Sequence, residues 1–498
     1  MSSYQLSLDH HPNLATPDLA LPDPATVEAA LQQALLEWQQ PASTQSPLQQ
    51  LCCFRRLLRQ ADGNVPRSTN TLVLQALEQL AIHHAEHAQV LQSRYLDHEK
   101  VEQGANRLNM SVATFHRKRS EALPLLAAIV LEMEETAYQR YCTEQAGRLE
   151  APTYNEVLGQ DAVIAGLMEL CLAPQAPWII AITGIGGIGK TSLADRLVRH
   201  LIRTAYFAEI GWVTARQSIF NAGGAITPLP HPALTTQNFV EALGVQLWGE
   251  AQRSVTQSEE ATLHRIEEQV KSASHLIVID NLETMVDLET LLPLLRRLAN
   301  PSKILLTTRE SLFAQPDIYH CTVAELSAVD AVALLRLEAR IRHVPQITAA
   351  PDEALLPIYQ ITGGNPLALR LVAGQLRIHP LATVLHELTM ASGQQAETLY
   401  SYIYRHSWEL LDEQEREVLI AMPLVSEQGG QVELITATCA LPTTTVHQAL
   451  DKLITLNLVN VTGDLHTRRY TIHGLTRSFL HQQVIYWQID EDGSHDDQ

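Results

Sequence analysis

Short apolar runs alternate with amphipathic stretches in the middle of the chain. The apolar runs are Trp178–Ile182, Glu209–Thr214, His275–Asp280 and Lys303–Thr307. Runs of this length are typical of strands buried on both faces of a parallel sheet. The stretches between them place apolar residues at helical spacing, in Ser192–Ile202, Gln237–Trp248 and Ala261–Ser272. We therefore predict a central α/β domain with a parallel sheet over residues 151–325, in which residues 217–234 form a loop.

The regions that flank this domain are helical in pattern. In residues 46–150 the strong apolar period is helical, for example at Leu72, Leu77 and Leu80. Residues 326–392 predict a small helical domain. Residues 393–485 predict four helices and then a β-hairpin across Gly463, which is typical of a winged helix. The fold class we predict is therefore multidomain and mainly α, built around the central α/β domain.

Composition limits where the protein acts. Residues 1–45 are polar and predict a disordered tail with one short helix near Thr26–Trp38, and residues 486–498 predict an acidic tail. The net charge of −20 argues against nucleic-acid binding over the whole surface. No apolar run approaches about 20 residues, and the N-terminus lacks a secretion signal. We expect a cytoplasmic protein that makes no membrane contact, with its six cysteines reduced.

The strongest chemical motif lies directly after the first apolar run. Residues 184–191 have the spacing G-x-x-x-x-G-K-T between a predicted strand and a predicted helix, which is the context of a phosphate-binding loop. Its glycines, at which the backbone can curl around an anion, are Gly184, Gly186, Gly187 and Gly189. Lys190 is expected to reach the β- and γ-phosphates, and the Thr191 hydroxyl is expected to bind Mg²⁺. Ser192 follows in the first helical turn, where the helix dipole favours an anion.

Two later strands end in residues that suit the same site. Asp280 follows a buried strand, where a carboxylate can hold Mg²⁺ opposite Thr191. Arg309 follows Thr308 at the end of another strand and can report whether a γ-phosphate is present. These positions predict that ATP or ADP binds together with Mg²⁺.

A second candidate site lies in the N-terminal region. Residues 91–123 predict a supporting helix, a short helix over Val101–Leu108, a turn that Ser111 caps, and a second helix over Val112–Leu123. This pattern resembles helix-turn-helix modules, which place the second helix in the major groove. The basic residues on that helix are Arg117, Lys118 and Arg119. Either DNA binding or a protein-interaction role is consistent with this pattern, because the excess of positive charge is small.

Taken in order, these motifs resemble the NB-ARC class of STAND ATPases, which are signalling switches. The matching residues are the loop at 184–191, Ile279–Glu283, Thr307–Arg309, Gly363–Leu369 (like the "G-L-P-L" element) and Tyr470–Gly474 (like the "M-H-D" element). Residues 158–161 resemble the lead-in segment that packs beside the base in this class. The resemblance covers about residues 155–482.

The resemblance implies roles for individual residues. It implies that Pro366 lies against the adenine, that His473 lies near the β-phosphate of ADP in a closed state, and that Arg309 senses the γ-phosphate in an open state. Two departures change this expectation. Asn281 replaces an acid that follows the Mg²⁺ aspartate in many relatives, so only Asp280 and Glu283 remain as acids near the reacting water. Gly474 replaces the acid of the last motif, so the closed state is expected to be less firmly held.

The leading hypothesis is a switch that is closed with ADP and open and self-associating with ATP, and that hydrolyses ATP slowly. Its partners are expected to be nucleotide, further copies of the chain, and a separate sensor or effector protein. One alternative is a transcription regulator that binds DNA through residues 91–123 under nucleotide control. The other is a remodelling ATPase of the wider AAA kind, which requires fast turnover.

Overall fold

The computed structural model describes most of the chain in two units. The described residues are 22–38, 45–61, 63–150, 152, 154–215, 218–220, 226–228, 235–248, 259–282, 285–310, 312, 314–341, 343–376, 380–390, 408, 411–425, 430–455, 458–463, 468–472, 476 and 480. One unit comprises residues 1–150 together with 198–209, and we call it the N-terminal unit. The other, which we call the nucleotide unit, comprises residues 151–197 and 210–498.

The N-terminal unit is built from helices. They are α1 (Pro24–Leu36), α2 (Cys52–Gln60), α3 (Val65–Leu91), α4 (Val101–Arg107) and α5 (Val112–Ala146), with a π-helical turn at Gln92–Leu96. Side-chain caps set several of the starts. Asn64 accepts a hydrogen bond from the backbone N–H of Arg67 at 2.9 Å, and Ser111 accepts one from Thr114 at 3.1 Å. Segment 198–209 adds buried apolar side chains to this unit, among them Leu201 and Phe207.

A buried glutamate from another helix caps the N-terminus of α2. The N-cap residue Leu51 offers no side-chain acceptor. Instead the carboxylate of Glu134, on α5, accepts hydrogen bonds from the backbone N–H groups of Cys52 at 2.7 Å and Cys53 at 2.9 Å. The positive end of the α2 dipole stabilises the same negative charge. Glu134 is only 1% exposed and joins two helices far apart in sequence.

The short helix expected near Thr26–Trp38 is present as α1, which spans 24–36, packs on α5 and buries Val27, Leu31 and Leu35. Two other details of the predicted N-terminal region differ from the structure. The predicted supporting helix is instead the end of α3 with its π-helical turn. Helix α5 does not stop at Leu123 but continues past Pro124 to Ala146. Burial of its apolar face compensates for the backbone hydrogen bond that Pro124 cannot donate.

The nucleotide unit contains the parallel sheet that the sequence predicts. Its strands are β1 (Ile179–Thr183), β2 (Ile210–Thr214), β5 (Leu276–Leu282), β6 (Lys303–Thr308) and β7 (Ile318–Thr322). They lie in the order β2-β5-β6-β1-β7, and all neighbouring pairs are parallel. The helices of this part are α6 (Asp161–Leu172), α7 (Lys190–Thr204), α8 (Thr236–Trp248), α9 (Glu259–Ser272) and α10 (Met285–Leu298). The carboxyl ends of β1, β5 and β6 therefore lie side by side.

The predicted loop over 217–234 contains two short strands. These are β3 (Ser218–Phe220) and β4 (Ile226–Pro228), which pair antiparallel. The expectation of a loop is therefore wrong for these residues. Strand β7 was not predicted either. Only Ile318 of its residues is buried, so its sequence lacks the continuous apolar run of the other strands.

Helices make up most of the described residues from 328 onward. They are α11 (Ala328–Ile341), α12 (Pro345–Ala349), α13 (Asp352–Thr362), α14 (Pro366–Gln375), α15 (Leu381–Met390), α16 (Glu413–Ala421), α17 (Val432–Cys439) and α18 (Thr443–Thr455), with a 3-10 turn at Met422–Leu424. Strands β8 (Asn460–Gly463) and β9 (Arg468–Thr471) then pair antiparallel, as the sequence predicts. The assignment of this last part to a winged helix stays a prediction. No described helix is long and apolar enough to cross a membrane.

Candidate nucleotide-binding site

The loop between β1 and α7 has the backbone of an anion cradle. Strand β1 ends at Thr183 and α7 begins at Lys190. Between them Gly184, Gly187 and Gly189 adopt φ angles of 151°, 73° and 101°. Side chains rarely tolerate these angles, so the curl depends on glycine. The loop opens directly into the N-terminus of α7, where backbone N–H groups and the helix dipole favour a negative charge.

Lys190 lies within this loop. Its side chain is buried, and Nζ donates hydrogen bonds to the carbonyl oxygens of Gly184 at 2.7 Å and Ile185 at 2.9 Å. The ammonium group is therefore held above the loop backbone by acceptors of the loop itself. A phosphate oxygen in the cradle offers the same group a charged and stronger acceptor.

Two hydroxyl groups converge on the carboxylate of Asp280. The Oγ1 atoms of Thr191 and Thr307 each donate to Asp280 Oδ1 at 2.7 Å. Asp280 is 1% exposed, on β5, and Thr307 is on the neighbouring β6. A carboxylate oxygen beside a threonine hydroxyl is the hard oxygen donor set that Mg²⁺ prefers, so Thr191 and Asp280 fit the metal expected here. Thr307 was not singled out from the sequence for this contact.

The other residues expected near the phosphates are Asn281, Glu283, Arg309 and His473. Asn281 lies at a bulge of β5 with a left-handed φ of 66°, and its backbone N–H donates to Thr307 Oγ1 at 2.7 Å. Its side chain is half-buried. Arg309 follows β6 and is buried, 8% exposed. Glu283 and His473, which the sequence also nominates, lie outside the described residues.

Asn365 connects the helices α11 to α15, which we call the small helical region, to the phosphate-binding loop. It is fully buried and caps α14, accepting hydrogen bonds at Oδ1 from the backbone N–H groups of Leu367 at 3.0 Å and Ala368 at 3.2 Å. Its Nδ2 donates to the carbonyl oxygen of Gly186 at 3.1 Å. The backbone N–H of Leu367 also donates to Gly187 O at 3.3 Å. A Cβ at Gly187 would lie 2.7 Å from the Leu367 Cβ, so the two segments are in close contact.

An open pocket lies beside this contact. The lead-in segment 154–160 and α11 form its walls, and Gly189, Ser192 and Pro366 line it on the side of the loop. Most of the remaining lining is aliphatic. Arg370 and Glu338 also line it and form an ion pair at 2.9 Å, with the Glu338 side chain only 6% exposed. A flat apolar group placed here lies next to the phosphate-binding loop, which is the arrangement that a nucleotide base and its phosphates require.

Two of the basic residues of the helix-turn-helix-like segment form ion pairs with acids of the protein. Lys118 forms an ion pair with Glu86 of α3, and its side chain is 17% exposed. Arg117 is 68% exposed and lies 3.9 Å from Glu121 on its own helix. Of the three residues predicted to contact DNA, Lys118 therefore faces the protein, whereas Arg117 faces solvent.

Comparisons with known proteins identify the central domain. A sequence-family model described as an AAA domain matches residues 175–321. A putative disease resistance protein of Arabidopsis thaliana is 25% identical over 250 residues, which are 49% of this chain and 21% of that protein. A probable disease resistance protein of the same plant is 23% identical over 233 residues, which are 44% of this chain and 25% of that protein. The chain thus spans about a fifth to a quarter of these relatives.

One solved structure is also similar. It is a signal transduction ATPase with numerous domains (STAND) that carries a tetratricopeptide repeat sensor, from Pyrococcus horikoshii. The match covers 67% of this chain and 43% of that one, with 17% sequence identity and a TM-score of 0.31.

The family match, the parallel sheet and the glycine loop that leads into α7 define the central domain as a P-loop NTPase domain. The ordered motifs and the resistance-protein relatives show that the chain is similar to proteins of the NB-ARC/STAND class of P-loop ATPases. A P-loop ATPase domain binds nucleotide, typically with Mg²⁺.

Proposed function

We propose that the protein is a signalling switch operated by ATP and ADP. ADP holds a closed form, and ATP with Mg²⁺ favours an open form that self-associates. Hydrolysis is slow and returns the switch to its closed form. The signal comes from, or passes to, a separate sensor or effector protein.

The contact between Asn365 and the phosphate-binding loop carries this proposal. Asn365 and Leu367 hydrogen-bond to the carbonyl oxygens of Gly186 and Gly187, in the loop that is expected to surround the phosphates. Any movement of this loop on exchange of ADP for ATP changes the same two hydrogen bonds. The small helical region therefore responds to the phosphate end of the nucleotide through contacts of about 3 Å.

The interactions of one γ-phosphate can supply the free energy that switching requires. Moving a two-state equilibrium from 1:99 to 99:1 requires about 5.5 kcal/mol of differential binding. A γ-phosphate offers charged acceptors to Lys190 and Arg309 and an oxygen ligand to Mg²⁺ at Thr191 and Asp280. Each hydrogen bond between charged groups contributes about 1.5–3 kcal/mol, so three such interactions supply the required amount.

Slow hydrolysis follows from the groups near the reacting end of the nucleotide. In its contacts with described residues, the Asp280 carboxylate accepts hydrogen bonds from Thr191 and Thr307; in this proposal it holds the metal. Asn281 carries an amide, which cannot act as a general base. Glu283 is then the remaining acid of this segment. ATP thus acts mainly as a ligand that selects one state.

Mass photometry of the full chain tests the switch directly. We expect larger assemblies with a non-hydrolysable ATP analogue plus Mg²⁺, and smaller species with ADP. The same particle mass in both nucleotides would contradict self-association as the output. Single-turnover hydrolysis in parallel separates slow turnover from the fast turnover that a remodelling ATPase needs.

Removing the Lys190 ammonium group tests the nucleotide site. Lys190→Ala deletes the cation that is held inside the loop, so we expect ATP binding to be lost in isothermal titration calorimetry. Lys452→Ala, on α18, removes a lysine outside the site and serves as the matched control. Tight ATP binding by the Lys190 variant would show that the loop is not the binding site.

A second candidate function is DNA binding through α4 and α5. The capped turn between these helices and the exposed Arg117 favour it. We expect Arg117→Ala combined with Arg119→Ala to abolish a specific gel shift, while Arg67→Ala, an exposed arginine on α3, leaves it intact. Absence of any shift in both nucleotide states would leave the helix-turn-helix-like segment as a protein-interaction surface.

A further inference from the structure

The N-terminal unit contains a pocket lined mainly by arginines. It lies between α2, α5 and segment 205–209. The arginines that line it are Arg55, Arg56, Arg59 and Arg140. The other lining residues include Cys52, Tyr141, Glu144 and Phe207. None of these residues belongs to the nucleotide site.

The carboxylates near this arginine pocket already have partners. Glu144 accepts a hydrogen bond from Arg140 at 2.6 Å, and Glu209 is shared between Arg59 at 2.6 Å and Arg148 at 3.3 Å. Glu134 is bound by the N–H groups at the start of α2. The arginines outnumber these acids, so the pocket carries an excess of positive charge.

Two of the arginine side chains have buried donors that no described residue satisfies. The Nε atoms of Arg55 and Arg56 are both buried without a hydrogen-bond partner. Arg55 uses its terminal nitrogens elsewhere, donating to the Ala205 carbonyl oxygen and, at 3.2 Å, to the Cys52 sulfur. Buried donors of charged groups are costly when unpaired, and an orphan of this kind in a pocket indicates a missing anion or water.

The remaining titratable groups add no negative charge to the pocket. Burial raises the pKa of the Cys52 thiol to about 11, so it is neutral at pH 7. Burial also raises the pKa of Tyr141, whose hydroxyl donates to the Phe207 carbonyl oxygen at 2.9 Å. An incoming anion therefore meets guanidinium groups, neutral neighbours and one carboxylate, that of Glu144, which is paired with Arg140.

We propose that this arginine pocket binds a small phosphate-bearing anion. Guanidinium groups match phosphate oxygens in paired, bidentate hydrogen bonds, and several of them around one small pocket favour a tetrahedral anion whose oxygens share one centre over a dicarboxylate whose charges lie apart. The setting of the pocket between two helices and a short segment suits a small anion rather than a nucleic acid. The site lies in the N-terminal unit and does not depend on the function proposed for the nucleotide unit.

Calorimetric titration of the full chain tests the proposal. The protein is first saturated with ADP, so that the phosphate-binding loop is occupied, and then titrated at constant ionic strength with inorganic phosphate, pyrophosphate or succinate. We expect phosphate and pyrophosphate to bind and succinate to bind at least about tenfold more weakly. The Lys190→Ala protein is expected to retain this binding, which separates it from any binding at the loop.

Three variants locate the binding in the pocket. Arg56→Gln is expected to weaken phosphate binding by about tenfold, which corresponds to the loss of one charged hydrogen bond. Glu144→Gln is expected to strengthen it by about threefold, because it frees Arg140. Arg67→Ala, an exposed arginine on α3, is the control and leaves the affinity unchanged. A general loss of folding would weaken phosphate binding in both variants, so opposite changes in affinity at Arg56 and Glu144 locate the binding in the pocket.

Several outcomes would overturn the proposal. They are the absence of heat with phosphate and pyrophosphate, binding that is equal in Arg56→Gln and wild type, and tighter binding of succinate than of phosphate. Since the Glu144 side chain is 52% exposed, Glu144→Gln is expected to fold normally. An unchanged affinity in that variant also counts against the pocket.

Discussion

Asn365 offers the sharpest test of how the small helical region controls the nucleotide. Its side chain has two separate tasks, which are to cap α14 through Oδ1 and to donate to Gly186 through Nδ2. Serine is also a good N-cap but is too short to reach the Gly186 carbonyl oxygen. The substitution Asn365→Ser therefore keeps the cap and removes the contact with the loop.

The expected effect follows from that one hydrogen bond. A neutral hydrogen bond contributes about 1 kcal/mol, and leaving the buried Gly186 carbonyl oxygen without its partner raises the cost to as much as about 3 kcal/mol. The closed form should therefore become less populated by about 5- to 150-fold. Because the contact covers the phosphate-binding loop, we expect a fluorescent ADP analogue to dissociate faster by a similar factor in stopped-flow measurements.

The control makes the same chemical change at another helix start. Asn64 caps α3 in the N-terminal unit, and Asn64→Ser also preserves an N-cap. We expect this variant to release the ADP analogue at the wild-type rate. Equal release rates for Asn365→Ser and wild type would refute the reasoning, because the contact would then contribute nothing to holding the nucleotide.

Two further substitutions test other parts of the structure. Asp280→Asn removes the charge that faces Thr191, so we expect the Mg²⁺-dependent gain in ATP affinity to fall at least about tenfold while metal-free ADP binding changes little; titrations with and without Mg²⁺ compare the two. Glu134→Ala leaves two N–H groups at the start of α2 without their acceptor, and we expect the N-terminal unit to lose about 3 kcal/mol of stability, measured by calorimetric unfolding. Glu135→Ala, at the next position of α5, is the control for the second change and is expected to alter stability by less than about 0.5 kcal/mol.

Local sequence patterns were sufficient for the parts of the fold that depend on neighbouring residues. The strands at Ile179–Thr183 and Lys303–Thr308 are continuous apolar runs, and the loop at 184–191 has a spacing that few other structures share. Ser111 caps α5 as its position before the helix indicates. These features are decided within about ten residues of chain.

Features that depend on distant contacts were not predictable in the same way. The hydrogen bond from Asn365 joins residues 179 positions apart, and Thr307 reaches Asp280 only because β5 and β6 are neighbours in the sheet. Helix α5 passes Pro124, where local rules favour a stop, since burial of Leu126 and Val130 continues the helix. Strand β7 has a mixed pattern because it lies at the edge of the sheet.

Segment 198–209 has a consequence for exchanging the N-terminal region between proteins. The helix that begins with Lys190 ends inside the core of the N-terminal unit, where Tyr138 and Tyr141 donate to the carbonyl oxygens of Arg203 and Phe207. Recombination at residue 150 would therefore exchange the first helices but leave behind apolar side chains such as Leu201 and Phe207 that those helices cover. A chimaera with a different N-terminal region therefore also needs matching substitutions in segment 198–209.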